Sequence, residues 1–171
     1  MLAQSCTPAT AGTFIIEAAD PRSPAAVRLI EALTVELVAR YDGEDDGTGN
    51  FRPEDVLVAG AAFVVGRIGD SAVACGAFRP LEPGVAELKR IYVAAEHRGR
   101  GLAGRLLAEL ERRAVAAGYA MLRLETGTRQ QESMRLYERC GYRQIPNFGP
   151  YALSRWSVCY EKAIGEQPVS T

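Results

Sequence analysis

The chain of 171 residues predicts an α/β (α+β) fold built on a mixed, mostly antiparallel central sheet flanked by helices. Three observations predict it. Strand-like segments 61–67, 72–79 and 86–93 follow one another through short turns, the pattern of an antiparallel meander. A helix-like segment, 105–117, separates 86–93 from the next strand-like run, 121–125, and a helical crossover makes those two strands parallel. Between 86–93 and that helix lies Arg98-Gly99-Arg100-Gly101-Leu102-Ala103-Gly104, a glycine-rich loop seated on a helix N-terminus.

The elements follow in order. Residues 14–18 form a short strand, and Asp20-Pro21-Arg22-Ser23-Pro24 carries turn and helix-start chemistry. Val27, Ile30, Leu33, Leu37 and Val38 then recur at helical spacing through Arg40, an apolar face to lay on a sheet. Segment 41–50 breaks the periodicity; its four carboxylates beside Tyr41 make it an exposed acidic loop, either a solvated linker or a lip attracting a cationic substrate. Ile68-Gly69-Asp70-Ser71 reads as a hairpin turn and 80–84 as the next one. Gly118 stops the helix; 130–139 is a second helix, stopped by Gly141. Strands 143–145 and 157–162 close the fold around a loop holding Tyr151 and Trp156, which either closes over a substrate or packs on the surface.

Length fits one domain, 13–164, with a loose tail over 1–12 and a C-terminal tail over 165–171. A net charge of -1 gives no global attraction to nucleic acid or acidic membranes, so any basic function is local. Cys6, Cys75, Cys140 and Cys159 are far apart, without C-x-x-C or histidine-rich spacing, and read as reduced, packed thiols with no metal. A cytoplasmic setting follows, with neither a signal peptide nor a membrane span in the pattern. Sheet edges leave monomer and homodimer both open.

The glycine-rich loop is an anion site on paper. Unpaired N–H groups of a helix N-terminus point outward, Arg98 and Arg100 add charge, and glycines let a phosphate approach the backbone; the bland alternative is a connection with solvated arginines. Gly99-x-Gly101-x-x-Gly104 formally matches the dinucleotide fingerprint, with Glu125 at 21 residues past its last glycine. Context defeats an NAD-binding reading: the preceding strand carries Glu87, Lys89 and Arg90, whereas a central parallel strand is almost wholly apolar, and too little chain follows. No G-K-(S/T) follows, which excludes the phosphate loop of nucleotide triphosphatases.

Arg98-x-x-Gly101-x-Ala103, between a strand and a long helix, fits the signature (R/Q)-x-x-G-x-(G/A), and Leu136-Tyr137-Glu138-Arg139-Cys140-Gly141-Tyr142 fits L-Y-x-x-x-G-(F/Y). In these residues, over about 14–164, the chain resembles the GNAT superfamily of acetyl-CoA-dependent N-acetyltransferases. The resemblance implies that the pantetheine of acetyl-CoA lies as an added strand in a splay between 86–93 and 121–125, bonding backbone groups near Ile91, Tyr92 and Val93. It implies that the pyrophosphate meets the N–H groups around Arg98, Gly99, Arg100, Gly101, Leu102, Ala103 and Gly104, and that an N–H near Ile91 or Tyr92 polarises the thioester carbonyl. Many members carry Asn seven residues before the tyrosine; here stands Gln130, the same amide on a longer stem.

Acyl transfer to an amine needs two proton movements. Tyr137 is the candidate acid for the sulfur, against a purely core role at helical spacing with Met134 and Cys140. Glu87 is the candidate base, against an ion pair with a sheet neighbour; it stands four residues from Ile91, roughly 13 Å along a strand, which calls for a water relay, and Glu125 is the reserve. His97 is read as a solvated loop residue, not a catalyst. Tyr41, Arg79, Glu125 and Tyr151 are candidate substrate contacts. The acidic loop favours a cationic small molecule, while Arg79, Arg90 and Arg123 suit an amine that also carries a carboxylate. The expected activity is acetyl transfer to a small primary amine by direct attack in a ternary complex; the rival is a non-catalytic acyl-CoA-binding module.

Overall fold

The computed structural model describes residues 12–44 and 50–165. Its elements are β1 (Phe14–Ala18), α1 (Pro24–Arg40), β2 (Ala62–Ile68), β3 (Ser71–Glu82), β4 (Val85–Val93), α2 (Leu102–Ala116), β5 (Met121–Gly127), α3 (Gln131–Arg139), β6 (Arg143–Ile145) and β7 (Ser157–Ala163). The strands form one seven-stranded sheet in the order β1-β2-β3-β4-β5-β7-β6. Every neighbouring pair is antiparallel except β4 and β5, which the α2 crossover makes parallel.

Each face of the sheet has its own core, because successive strand residues point to opposite sides. Leu106, Leu107 and Leu110 of α2 pack on Val64, Phe78, Leu88, Leu122, Leu124 and Tyr160, joined by Tyr137 of α3. On the other face α1 covers Val65, Cys75, Ala77 and Tyr92. The buried stripe of α1 is Ala26, Leu29, Leu33 and Leu37; Val27 and Val38, expected in it, are 37% and 41% exposed. The helix begins at Pro24, behind the Ser23 cap, and this phase puts Leu29 inward in place of Val27.

Two boundaries also differ from expectation. β3 runs through Pro80 to Glu82, because Pro80 sits at a register shift opposite Ala86, where a missing N–H is tolerated. Helix α2 starts at Leu102, so Leu102, Ala103 and Gly104 form its first turn and the loop proper ends at Gly101.

Two irregularities of β4 create the site. The ladder to β5 pairs Val85 with Met121 through Leu88 with Leu124 and then stops, so the strands part beyond it. On the other edge, Cys75 pairs with Tyr92 but Ala77 pairs with Lys89, which inserts an extra residue in β4, with Arg90 at φ 57. The bulge resets the alternation: Ile91 stays on the α2 side, while Arg90 stacks over Phe51 on the α1 side at 4.9 Å.

Most of the two expected tails, Cys6, Asp45 and Asp46 lie outside the described residues. Within them, Cys75, Cys140 and Cys159 are free thiols, no helix is long and apolar enough to cross a membrane, and no group of His, Cys, Asp and Glu is arranged to hold a metal.

Candidate active site

At the C-terminal end of β4 the chain turns through Gly99 and Gly101 at φ 75 and 74, left-handed backbone that favours glycine, and Gly101 caps α2. The first N–H groups of α2 therefore open toward a groove of about 410 Å³ that runs between α2 and α3. Tyr92, Val93, Gly99, Gly101, Leu102, Ala103 and Gly104 all line it. A Cβ at Gly104 would meet nothing within 4 Å, so space stands open above this turn.

The two arginines of the loop are placed differently from each other. Arg98 donates to both carboxylate oxygens of Glu36, at 3.2 and 2.6 Å, and through Nε to the Val93 carbonyl at 2.9 Å, and it covers the Tyr92 ring. It ties the loop to α1 while lining the groove. Arg100 is exposed and does not line the groove. His97, read as solvated, is half-buried against the groove with Nδ1 lacking a hydrogen-bond partner. Arg40 and Arg139, which the sequence reading passed over, also line the groove, Arg40 paired there with Glu36 and Glu132.

The groove meets a second, smaller cavity of about 90 Å³ inside the splay of β4 and β5. Leu33, Ile91, Gln130, Ser133 and Tyr137 line both and mark the junction. Tyr137 is 6% exposed and packs edge-on against Tyr142 at 5.8 Å. Burial first, then the Glu125 carboxylate, push its phenol well above the usual tyrosine range, so it keeps its proton at neutral pH. The Gln130 carbonyl accepts from Gly127 N at 2.9 Å, leaving its amino end for other partners. Ser133, one turn before Tyr137, was missed; its spacing of four on one helix face was the available signal.

Beyond the junction, the α1-side face of β4 and β5 carries a charged cluster. Glu87, 2% exposed, accepts from Arg79 Nε at 3.1 Å and from the Tyr151 hydroxyl at 2.6 Å, and Arg79 also reaches Asp55 at 2.8 Å. The Tyr151 hydroxyl in turn accepts from Lys89 Nζ at 2.8 Å. Neither Glu87, Arg79 nor Tyr151 lines the small cavity; Lys89 and Glu125 do. Glu125 accepts from the Ser157 hydroxyl at 2.6 Å. Burial pulls the Lys89 ammonium below its usual range, with Glu87 and Glu125 opposing. Lys89 is the chief residue that sequence reasoning overlooked, because on a strand it reads as a surface charge.

Tyr41 forms the far wall. It is 2% exposed, its hydroxyl accepts from Arg129 N at 3.2 Å, and Trp156 packs edge-on against it at 5.8 Å. A Cβ built at Gly127 would overlap the Tyr41 hydroxyl, so only glycine fits there. Arg129 and Arg155 each stack on Trp156, at 4.8 and 4.7 Å. The described part of the acidic loop is engaged in turn: Asp42 pairs with Arg129 and Glu44 with Arg155. These two carboxylates thus fasten the loop to its neighbours.

A groove ending on a helix N-terminus, a parallel pair that splits beside it, and a buried phenol where two cavities meet are features that acyl transfer can use. The comparisons with known proteins agree. The model of the acetyltransferase (GNAT) family matches residues 27–142, and the chain belongs to that family. It is 34% identical over 145 residues to an IAA acetyltransferase of Azospirillum brasilense, covering 84% of this chain and 94% of that one. A crystal structure from Klebsiella pneumoniae, assigned as an acyl-CoA N-acyltransferase, superposes with a TM-score of 0.73 at 33% identity, over 89% of this chain and 98% of the other. A GNAT acetyltransferase of Elizabethkingia anophelis solved with acetyl-CoA bound shares the fold at a TM-score of 0.64 and 16% identity, covering 88% and 97%.

Proposed function

We propose that the chain transfers an acetyl group from acetyl-CoA to a small-molecule primary amine by direct attack within a ternary complex. The observation that carries this reading is the meeting of the two cavities at Ile91 and Tyr137. In this reading the larger takes the donor, its phosphates on the α2 N-terminus near Gly99, Gly101 and Gly104 and its pantetheine along the edge of β4 that β5 has left. The smaller takes the acceptor.

Each step then has a group to serve it. A protonated amine is no nucleophile, and Glu125 is the carboxylate that lines the acceptor cavity. We assign it the acceptor's ammonium and proton; Glu87, spent on Arg79 and Tyr151, fits better as the residue that fixes Tyr151 and Lys89. The freed amine attacks the thioester carbonyl, whose developing oxyanion is met by backbone N–H groups beside Ile91, where the bulge reorients the strand. The C–N bond forms, the C–S bond breaks, and Tyr137 supplies a proton to the departing thiolate.

The test is a thermal shift with acetyl-CoA, CoA and NAD side by side, followed by thiol release with an amine panel. A ligand that binds only the folded protein raises Tm. Stabilisation by acetyl-CoA and CoA but not NAD, with amine-dependent thiol release, is the expected result. Binding without thiol release from any amine would turn the reading to a non-catalytic acyl-CoA module, and stabilisation by NAD alone would overturn it.

A further inference from the structure

Lys89 and Glu125 are the next positions on β4 and β5 after the last paired residues, Leu88 and Leu124. They face one another across the mouth of the split, and both line the acceptor cavity. The Lys89 ammonium donates to the Tyr151 hydroxyl at 2.8 Å and forms an ion pair with Glu87 at 3.7 Å, the latter beyond hydrogen-bond range. An ammonium has three donors, so Lys89 enters the cleft with donors to spare.

Two other cations of this face are engaged by carboxylates, and a third, Arg90, lines the same cavity while stacking on Phe51 at 4.9 Å. Arg79 is engaged by Asp55 and Glu87, and Arg123 by Glu82 and Glu161. Glu87 already accepts from Arg79 and Tyr151, so Lys89 shares its charge with them. The Lys89 side chain is only 10% exposed, so beyond the shared Glu87 its charge has little water around it.

From this arrangement we infer that the acceptor is a zwitterion, an amine that carries a carboxylate a few bonds away, with its carboxylate on Lys89 and its ammonium on Glu125. The inference deepens, and rests on, the acyltransferase reading above. It resolves the two opposed signals of the sequence: a cationic group and an anionic group are recognised together, on two strands held apart by the split. The compact cavity, about 90 Å³, and its leucine walls at positions 33, 37 and 124 suit a small amino acid with an apolar side chain rather than a polymer. The burial that depresses the Lys89 ammonium is relieved when an anion docks beside it.

The test uses the full chain, acetyl-CoA and matched trios: L-alanine, L-methionine and L-phenylalanine, each with its amide and its decarboxylated amine, scored by thiol release. The free acids are expected to lead their amides and amines by about 10- to 100-fold in kcat/KM, the worth of a hydrogen bond to a charged group. In Lys89→Met that ratio is expected to fall toward one, while Lys89→Arg keeps it. The wild-type panel decides without any variant, should Lys89→Met fail to fold. Acetyl-CoA stabilisation with amines or amides turned over in preference to the free acids overturns this inference and leaves the acyltransferase reading intact; stabilisation with no amine of any kind turned over overturns both. No stabilisation by acetyl-CoA or CoA overturns both.

Discussion

Tyr137 shows how one residue takes a chemical role from its surroundings. Exposed, a phenol is a modest acid; walled by Tyr142 and Tyr160 and with Glu125 near, it holds its proton more firmly, which keeps it in the protonated form that the proposed acid role needs. Tyr137→Phe is expected to keep CoA affinity and lose on the order of 10²-fold in kcat, while Glu125→Gln loses a similar factor through the amine's proton. Stopped-flow thiol release with a CoA titration checks both, and wild-type turnover in either variant removes that residue from the chemistry. The core role and the acid role weighed for Tyr137 are compatible, since a buried phenol still carries its proton at neutral pH, although the same burial makes it a weaker acid. For Glu87 the ion pair foreseen as the alternative is what the structure contains.

At the scale of elements, the site is made where regular structure gives way. α2 opens on left-handed Gly101, and an L-residue there costs about 1–2 kcal/mol without any clash, because its Cβ meets nothing within 4 Å. Gly101→Ala is therefore expected to lower Tm by about 2–8 °C. Gly104→Ala, inside the first turn of α2, should gain up to about 1 kcal/mol of helix propensity yet weaken CoA binding by filling the space above the turn. Calorimetry of both variants with a CoA titration separates the two effects; unchanged CoA affinity in Gly104→Ala would mean that the phosphates do not approach that turn. The glycine spacing and the Tyr137 block were readable because both are local in sequence. Helix phase was not: α1 is apolar on more than one side, and Val27 or Leu29 faces inward according to where Ser23 starts the helix.

On the scale of the whole molecule, the interior holds protonated thiols and phenols. Burial pushes Cys75 up to about 12, Cys159 to about 11 and Tyr160 to about 12, and raises Tyr137, Tyr142 and Tyr151 as well. In the unfolded chain thiols titrate near 8.5 and phenols near 10, so above about pH 8.5 the unfolded state binds fewer protons than the folded one. This stabilisation is complete below that pH and is lost as pH rises toward the folded values. Urea unfolding from pH 7 to 10.5 is expected to show a midpoint that falls from about pH 8.5 upward; a flat midpoint would mean that these groups ionise alike in both states.

The amino-acid pattern by itself determined the mixed sheet, the strand–loop–helix that offers a helix N-terminus to an anion, the family resemblance, and the candidates Tyr137, Gln130 and Glu125. These follow from period, turn chemistry and short spacing, all encoded within a few neighbouring residues. Only the tertiary structure decided which charges are spent and which face the cleft. Arg79, Arg98 and Arg123 find carboxylates on other elements, whereas Lys89 and Glu125, on strands joined through a whole helix, come to face each other where the β4–β5 ladder ends. Charge pairing depends on distance in space, and a one-residue bulge at Arg90 sends two successive side chains to the same face, which no local pattern in the sequence announces.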